Sequence, residues 1–455
     1  MARLSIFREY DIRGVYEKEL NKENVVKIGM LLGEELLARG GNNIGVGYDA
    51  RVHSKTIFSW LCEGLEIGGV SVFDLGLIST PIAYFSSYCD FDGLALDGSV
   101  MITGSHNPPE YNGFKITLLK EPFFGEQIYA LGEKFNTKKV ESIGFNAPKK
   151  LNVLEKYIDF LVESFEDLRG LKVSLNLDFG NGVAGLAMLE ILKKLEIPYV
   201  SLYEKPDGTF PNHHPDPSEE KNLSDLKALV QKNGGVGFAF DGDGDRLATL
   251  TKKRNIKGDE MAIIFANSME NPIVIGEVKC SLNMYENINK IGKAIMYKTG
   301  HSNLKVKLKE ENADMAFEVS GHIFFKDRYF GYDDATYAAL RVLELIKKDG
   351  ENFDKILETL PKLYSTDEMK INTSEEEKFV LIDKLKDALK NPPKDFPKIL
   401  DLVSIDGVRV IFEEGWGLLR ASNTTPVLIA RFEAKSIAKK ELYQKALLDL
   451  LNTLK

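Results

Sequence analysis

The stretch LKVSLNLDFGNGVAGLAMLEILKKL, residues 171–195, shows the pattern that decides the fold. Its first seven residues predict a buried strand, the glycine-rich DFGNG at 178–182 predicts a loop, and 183–195 predict a helix. The same succession occurs at 44–67, where a strand over 44–48 precedes a helix over 55–67, and a further strand follows at 70–74. A third copy begins at 272–275. Alternating strands and helices imply parallel or mixed sheets with helices against them.

The copies begin at unequal intervals, which excludes a solenoid of fixed period. We therefore expect three similar α/β domains with mixed sheets. The chain beyond Asp367 differs, because it combines a charged helix over 374–389 with a hairpin in which Asp406-Gly407 separates two short strands. This part predicts a smaller α+β domain. The expected domains are residues 1–149, 150–249, 250–366 and 367–455.

Composition narrows the classes of function. Of 455 residues, 44% are hydrophobic and 28% charged, as in globular proteins, and no apolar run reaches the roughly 18 residues of a membrane span. A net charge of -9 argues against nucleic acid as a partner, although local basic clusters can still bind small anions. Three scattered cysteines without a CxxC pair, and no apolar leader in the first ten residues, predict a cytoplasmic protein.

The loop TGSHNPP, residues 103–109, follows a predicted strand over 98–102. Glycine and two prolines favour a rigid turn that exposes the Ser105 hydroxyl, with His106 beside it as a hydrogen-bond donor. Adjacent serine and histidine also occur in ordinary turns, so both interpretations stay open on these residues. Lys115 lies close in sequence, and taken alone it is equally consistent with a solvated lysine.

The segment DGDGDR, residues 241–246, gives the strongest local signal. Asp241, Asp243 and Asp245 alternate with glycines after a predicted strand, so their oxygens can surround one hard cation. Without a cation their repulsion would be costly. An EF-hand is excluded, since Arg246 and Lys252 stand where its loop needs glycine and glutamate. Metal binding is the prediction, with Mg²⁺ favoured if a phosphate completes the coordination.

Two further loops are rich in polar side chains. RASNTTP, residues 420–426, offers a guanidinium, hydroxyls and an amide, a set suited to a phosphate. EVSGH, residues 318–322, is suited to sugar hydroxyls. Each is also compatible with a plain solvated loop.

The four loops together resemble the α-D-phosphohexomutases, above all the phosphomannomutase/phosphoglucomutase branch. The resemblance covers essentially the whole chain and includes FREYDIRG at residues 7–14. It implies four domains around a central cleft and reversible 1,6-phosphoryl transfer on mannose and glucose phosphates, by way of a hexose 1,6-bisphosphate that also serves as activator. Small-molecule sugar phosphates are then the partners, and the chain is a monomer or small homo-oligomer.

The resemblance also implies residue roles. Ser105 would carry the phosphoryl group and contact the Mg²⁺ held by Asp241, Asp243 and Asp245. Arg13 and Lys115 would do acid–base work, which requires a lowered pKa of Lys115. The supporting and substrate-binding residues would be His106 and Arg246 at the phosphoserine, Lys279, His301, Glu318, Ser320 and His322 at the sugar, and Tyr10, Arg420, Ser422, Asn423, Thr424 and Thr425 at the phosphate.

Two departures from the family pattern affect the expected substrate. The usual Gly-Glu-Met-Ser-Gly-His is changed by Phe317 and Val319, and Phe317 is expected to narrow the sugar entrance. Asn423 replaces the glycine common in phosphoglucosamine mutases, which favours glucose and mannose phosphates. A phosphoglucosamine mutase and a catalytically silent sugar-phosphate-binding regulator remain the alternatives.

Overall fold

The computed structural model describes residues 6–141, 143–423 and 425–455. The chain divides into two compact units. The first unit contains Met1–Gly258 and Ser320–Phe353, and the second contains Asp259–Val319 and Asp354–Lys455. We describe each unit by itself.

The elements between Ile12 and Lys150 form a mixed sheet with helices. Its elements are β1 (Ile12–Val15), α1 (Lys22–Ala38), β2 (Asn43–Tyr48), α2 (Ser54–Ile67), β3 (Ser71–Leu77), α3 (Thr80–Ser86), β4 (Asp90–Phe91), β5 (Leu94–Ala95), β6 (Gly98–Ile102), β7 (Tyr111–Leu118), β8 (Glu121–Pro122), α4 (Glu126–Phe135) and β9 (Lys149–Lys150). The sheet order is β1-β7-β6-β2-β3-β9, with β8 paired to β7. Strands β6, β2, β3 and β9 run parallel, whereas β7 is antiparallel to β6. The predicted strand over 44–48 and helix over 55–67 are confirmed.

The next segment of this unit forms a second mixed sheet. Its elements are α5 (Val153–Ser164), β10 (Leu175–Asp178), α6 (Gly185–Lys194), β11 (Val200–Leu202), α7 (Ser224–Asn233), β12 (Val236–Phe240), β13 (Leu247–Leu250) and β14 (Asn255–Ile256). The order is β11-β10-β12-β13-β14. The predicted strand at 171 starts later, because the ladder with β12 begins at Leu175. Asp241 follows directly after the fully buried β12, at its carboxyl end.

The remaining elements complete both units. They are α8 (Gly258–Ala266), β15 (Ile273–Glu277), α9 (Leu282–Ile288), β16 (Lys293–Tyr297), α10 (His301–Glu310), β17 (Met315–Phe317), β18 (Ile323–Phe325), α11 (Ala335–Asp349), β19 (Tyr364–Ser365), β20 (Met369–Asn372), α12 (Glu377–Ala388), β21 (Ile399–Val403), β22 (Val408–Phe412), β23 (Gly415–Ala421), β24 (Val427–Ala434) and α13 (Ile437–Leu454). Strands β15, β16 and β17 are parallel. β18 and α11 belong to the first unit.

The last sheet is antiparallel, in the order β19-β24-β23-β22-β21, and β20 also pairs with β24. The predicted hairpin is confirmed, since β21 and β22 pair on either side of Asp406-Gly407. Helices α12 and α13 contribute apolar side chains to the core over this sheet. The fold class predicted from the sequence, three α/β regions and a smaller α+β region, is therefore confirmed. Within the described ranges, no helix combines the length and apolarity needed to cross a bilayer.

Candidate active site

Ser105 lies in the loop after β6 and has a left-handed backbone, with φ of 49°. Non-glycine residues rarely adopt this conformation, and they do so mostly where the surroundings enforce it. The Ser105 N–H donates to Thr103 Oγ1 at 2.7 Å. The Ser105 Oγ donates to Asp241 Oδ2 at 3.0 Å and lies 3.0 Å from His106 Nδ1. The loop thus presents a buried hydroxyl to the first of the three aspartates.

Two arginines fix this loop. Arg13 Nη1 donates to the Gly104 carbonyl at 2.9 Å and to Asn107 Oδ1 at 2.6 Å. Arg13 Nη2 forms an ion pair with Asp11 Oδ2. Arg51 donates to four backbone carbonyls of the same region. Arg51 was not predicted from the sequence; its one local signal is its position just after a predicted strand end, where α/β sheets place functional loops.

Asp241, Asp243 and Asp245 are all fully buried. Each offers one carboxylate oxygen, and these atoms lie within 4.8 Å of one another. Burial raises the pKa of Asp241, and the neighbouring Asp243 and Asp245 raise it further. Asp243 Oδ1 and Asp245 Oδ1 accept no hydrogen bond from any described residue. Buried carboxylate oxygens with open coordination are the donor set of a hard cation, so the residues present fit a metal ion.

The triad packs closely against the serine loop and α3. A Cβ on Gly242 would stand 2.6 Å from the Ser105 carbonyl oxygen, so only glycine permits this approach. Thr80 Oγ1 donates to Asp243 Oδ2 at 2.6 Å, and the Thr80 N–H donates to the Asp243 carbonyl at 2.8 Å. These contacts hold Asp243 against the first residue of α3.

Lys115, from β7, forms ion pairs with Asp243, at 2.7 Å, and with Asp245. Burial by itself lowers the pKa of Lys115, but the carboxylates of Asp243 and Asp245 outweigh that effect and raise it. The acid–base role implied by the resemblance requires a lowered pKa of Lys115. In this structure the carboxylates are the direct partners of Lys115, and the direction is therefore the opposite.

Arg246 and His322 lie next to the triad. Arg246 Nε donates to His322 Nε2 at 2.9 Å, which requires that the ring proton be on Nδ1. His322 Nδ1 lies 2.9 Å from Asp333 Oδ2 and 3.6 Å from Asp245 Oδ1. Asp333 is a further residue that the sequence analysis missed, since nothing in its local sequence indicates this contact.

His106 is half-buried beside Ser105. Burial lowers its pKa, and the positive charge of Arg246 lowers it further. Asp216 Oδ1 lies 3.9 Å from Arg246 Nη1, and for this carboxylate burial and the neighbouring charges act on the pKa in opposite directions. Burial would raise the pKa of Asp216, but Arg246 and His106 hold it down at about 2. A neutral His106 and a charged Asp216–Arg246 pair are therefore expected near neutral pH.

The first unit thus brings together all of the predicted catalytic and metal-binding side chains. Those linked by the contacts above are Arg13, Ser105, His106, Lys115, Asp241, Asp243, Asp245, Arg246 and His322. Tyr10, in the turn before β1, and Ser320 are half-buried residues of the same unit.

In the second unit, Lys279 and Glu318 share a neighbour, Glu277. Lys279 Nζ lies 3.5 Å from Glu277 Oε1 and 2.7 Å from Glu368 Oε1. The Val319 N–H donates to Glu277 Oε1 at 2.9 Å. Glu277 therefore connects Lys279 with the segment that carries Glu318. The sequence analysis did not single out Glu277.

Arg420 and the start of α10 share Asp406. Arg420 Nε donates to Asp406 Oδ2 at 2.9 Å, and the Thr299 N–H donates to the same oxygen at 3.1 Å. His301 begins α10, two residues after Thr299. Asp406 was predicted as a turn residue of the hairpin, and the structure adds this second role.

Ser422 and Thr425 form a small hydrogen-bonded turn. Ser422 Oγ lies 2.9 Å from Thr425 Oγ1 and accepts the Thr425 N–H at 3.2 Å. Asn423, between them, is half-buried. Thr424 lies outside the described residues.

Phe317 does not line an entrance. It is fully buried in β17, and its ring stacks on Phe265 with 6.2 Å between centroids. The expectation that Phe317 narrows access to the sugar site is wrong, because its side chain is part of the core of the second unit.

Known protein families match nearly the whole chain. The four domains of phosphoglucomutase/phosphomannomutase, three α/β/α domains and a C-terminal domain, match residues 4–139, 155–255, 257–364 and 368–450 in order.

Individual proteins are similar over the same extent. The phosphomannomutase/phosphoglucomutase of Pseudomonas syringae pv. tomato is 41% identical over 448 residues, covering 97% of this chain and 93% of that protein. A phosphoglucomutase of Neisseria meningitidis is 40% identical, covering 96% and 95%. The crystal structure of a phosphoglucomutase/phosphomannomutase family protein from Burkholderia thailandensis has a TM-score of 0.90 at 37% identity, covering 100% of this chain and 98% of that one. The chain therefore belongs to the phosphoglucomutase/phosphomannomutase family.

Proposed function

We propose that this phosphohexomutase interconverts the 1- and 6-phosphates of glucose and mannose through a phosphoryl group carried on Ser105. The observation that carries the proposal is the contact between Ser105 Oγ and Asp241 within a cluster of three buried aspartates. A hydroxyl that must accept and release phosphorus needs positive charge beside the phosphoryl oxygens. The aspartates provide the means to hold that charge next to Ser105.

Mg²⁺ is the proposed metal, because hard oxygen ligands and a phosphate are the combination that it favours. Bound by Asp241, Asp243 and Asp245, it would supply neutralisation of phosphoryl charge. The remaining work falls to side chains of this chain. Arg13 and Arg51 keep the serine loop in place, and Arg246 adds a cation next to His106.

The proposed reaction is a pair of phosphoryl transfers. In the first, the bond between phosphorus and Ser105 Oγ breaks while a bond forms to the free hydroxyl oxygen at C1 or C6 of the sugar. The hydroxyl loses its proton and Ser105 Oγ gains one, and on the resemblance we assign this acid–base work to Lys115 and Arg13. Asp243 and Asp245 raise the pKa of Lys115 in this structure, so the assignment requires that this pKa fall when a cation shares those carboxylates. The product is a hexose 1,6-bisphosphate, which returns its other phosphoryl group to Ser105 after reorienting. Added hexose 1,6-bisphosphate should accordingly act as an activator.

The substrate-binding residues are proposed from the resemblance of their loops to those of the α-D-phosphohexomutases. We propose that the sugar hydroxyls contact the acidic, basic and hydroxyl side chains of Lys279, His301, Glu318, Ser320 and His322. We propose that the non-reacting phosphate contacts Tyr10, Arg420, Ser422, Asn423, Thr424 and Thr425. The hydrogen bond of Gly300 N–H to Glu318 Oε1, at 2.6 Å, supports the first set, since it fixes that carboxylate.

A coupled assay with Ser105→Ala tests the proposal. Glucose 1-phosphate and mannose 1-phosphate are supplied with Mg²⁺ and a trace of the matching bisphosphate. We expect the variant to lose more than about 1,000-fold in kcat, because a covalent step has lost its nucleophile. Ser59→Ala, at a half-buried serine of α2 whose hydroxyl donates to the Thr56 carbonyl of the same helix, is the matched control and should behave as the wild type. Intact mass should show phosphate on the wild type and none on Ser105→Ala.

Two outcomes would contradict the proposal. One is near-normal turnover by Ser105→Ala. The other is a wild type that uses glucosamine 1-phosphate far better than both hexose phosphates, which would assign the chain to amino-sugar metabolism.

We also propose a cytoplasmic location, supported by Cys62, Cys89 and Cys280, which are free thiols in the structure.

A further inference from the structure

We propose that Arg51 is a positioning residue for phosphoryl transfer, whose guanidinium holds the Ser105 loop in the conformation that presents Oγ to Asp241. The inference rests on the proposed function, in which Ser105 carries the phosphoryl group. Neither the sequence motifs nor the similarity to known proteins assigns a role to Arg51.

The buried guanidinium of Arg51 donates hydrogen bonds to four backbone carbonyls of the loop. Arg51 Nη2 donates to the carbonyls of Ser105, at 2.9 Å, and Asn107, at 2.6 Å. Arg51 Nη1 donates to those of Pro108, at 2.6 Å, and Tyr111, at 2.9 Å. The two nitrogens thus fix the loop from the serine itself to the start of β7. A lysine has one nitrogen and cannot reproduce this planar fork.

Asp49 completes the arrangement. Its Oδ2 lies 3.4 Å from Arg51 Nε and accepts the Gly104 N–H at 3.2 Å, while its Oδ1 accepts the Arg51 N–H at 3.0 Å. Asp49 therefore balances the buried charge of Arg51 and holds the loop at the residue before Ser105. Both residues follow β2, whose backbone is the rigid base of the arrangement.

The loop lies directly on the guanidinium. A Cβ on Gly104 would stand 2.4 Å from Arg51 Cζ, so the backbone here is as close as glycine allows. The next residue, Ser105, has the unfavourable positive φ. Charge-assisted hydrogen bonds to its carbonyl and to the residues that follow can maintain that conformation, since they are stronger than bonds between neutral groups.

Arg51 is only 2% exposed. Its four hydrogen bonds go to main-chain oxygens, so it acts on the reaction through the backbone of the loop and not by contact with the sugar. Loss of Arg51 should therefore misplace the nucleophile and leave substrate affinity largely unchanged. A misplacement of the order of 1 Å lowers the rate of a positioned reaction by about 100-fold.

The test compares Arg51→Lys and Arg51→Ala with Arg341→Ala. Arg341 is 5% exposed, is paired with Asp327 at 3.0 Å, and lies over the Phe325 ring at 4.3 Å, so it controls for loss of a buried arginine in the same unit. We expect both Arg51 variants to lose about 100-fold in kcat with KM nearly unchanged. Millimolar methylguanidinium should restore part of the activity of Arg51→Ala. Hydrogen exchange of the amides of residues 103–111 should accelerate in the Arg51 variants alone.

The inference is overturned if the Arg51 variants keep a kcat similar to that of Arg341→Ala, or if KM rises while kcat and loop exchange stay unchanged. If Arg51→Ala fails to fold, Arg51→Lys decides by the same measurements. A wild type without mutase activity would refute the proposed function instead. The exchange of the loop amides would then still decide whether Arg51 holds the loop.

Discussion

Ser105 Oγ and Asp241 Oδ2 are 3.0 Å apart, although the two residues are 136 positions apart in the sequence. Each residue follows the carboxyl end of a buried strand, β6 for Ser105 and β12 for Asp241. The two strands belong to different sheets of the first unit. The contact therefore depends on how two sheets pack, and the predictions below concern the charges gathered around it.

Asp241→Asn should abolish the stabilisation of the protein by Mg²⁺. At a Mg²⁺ concentration 100 times its Kd, the wild type should gain about 2.7 kcal/mol in free energy of unfolding. The variant lacks one of the three proposed ligands and should gain almost no stability from Mg²⁺. In EDTA it should be at least as stable as the wild type, because burial and the two neighbouring carboxylates disfavour the ionised form of Asp241. Thermal denaturation with and without Mg²⁺ measures both effects.

The control for that experiment is Asp159→Asn, at an exposed aspartate of α5 that pairs with Lys194. It should keep the full Mg²⁺ effect. An equal Mg²⁺ stabilisation in Asp241→Asn would show that the cation binds elsewhere.

Lys115→Met should destabilise the protein in EDTA by about 3–5 kcal/mol, because it leaves the buried carboxylates of Asp243 and Asp245 without their cation. Mg²⁺ should recover more stability in this variant than in the wild type, since it then provides the missing positive charge. Urea denaturation in EDTA and in Mg²⁺ gives the comparison. Lys134→Met, which removes an exposed pair with Glu35, should cost less than about 1 kcal/mol. Equal losses in the two variants would contradict the prediction.

Glu277→Gln should change the pH dependence of stability. Burial raises the pKa of Glu277 to about 7 from an ordinary 4.5; Lys279 opposes this shift, and the carboxylates of Glu318 and Glu368 add to it. Between pH 4.5 and about 7, the Glu277 carboxyl stays protonated in the folded protein but is ionised in the unfolded protein. The stabilisation is therefore complete below pH 4.5 and is lost as the pH rises through about 7, with a slope of at most about 1.4 kcal/mol per pH unit.

The measurement is the free energy of unfolding by urea at a series of pH values from 4.5 to 8. Relative to Glu277→Gln, the wild type should lose stability across this interval. Glu286→Gln, at an exposed glutamate of α9, should follow the wild-type curve. Parallel curves for wild type and Glu277→Gln would refute the assignment.

Phe317→Ala should cost about 3–5 kcal/mol in free energy of unfolding, since it removes a fully buried ring that stacks on Phe265. The ratio of kcat/KM for mannose 1-phosphate to that for glucose 1-phosphate should not change. Phe379→Ala, at a residue that is 52% exposed, should alter stability by less than about 0.5 kcal/mol. A changed sugar preference in Phe317→Ala would restore a role for this residue at the entrance.

Residues at strand ends could be predicted from the sequence because the signal is local. An apolar run followed by glycine, serine or aspartate identified the loops of Ser105 and Asp241, and the predicted hairpin at Asp406-Gly407 needed only two turn residues. The combination of loops then indicated the family. These features depend on short-range periodicity and turn chemistry.

Other residues of the site could not be found in this way. Arg51 contacts carbonyls 54 to 60 positions further along the chain, and Asp333 reaches His322 through the folding of the loop before α11. Phe317 was misassigned for the same reason, because its sequence position beside Glu318 says nothing about which way its ring points. Such contacts follow from packing between distant segments, which local patterns do not contain.

The absence of a side chain at Gly242 has a consequence for how the enzyme matures. The Ser105 carbonyl oxygen lies 2.6 Å from where a Gly242 Cβ would stand, so the two loops can meet in this way only when the two sheets are packed in their native arrangement. We therefore expect that neither sheet by itself positions Ser105, the proposed nucleophile. Catalytic competence should therefore arise late in folding and vanish early in denaturation, before the separate sheets lose their secondary structure.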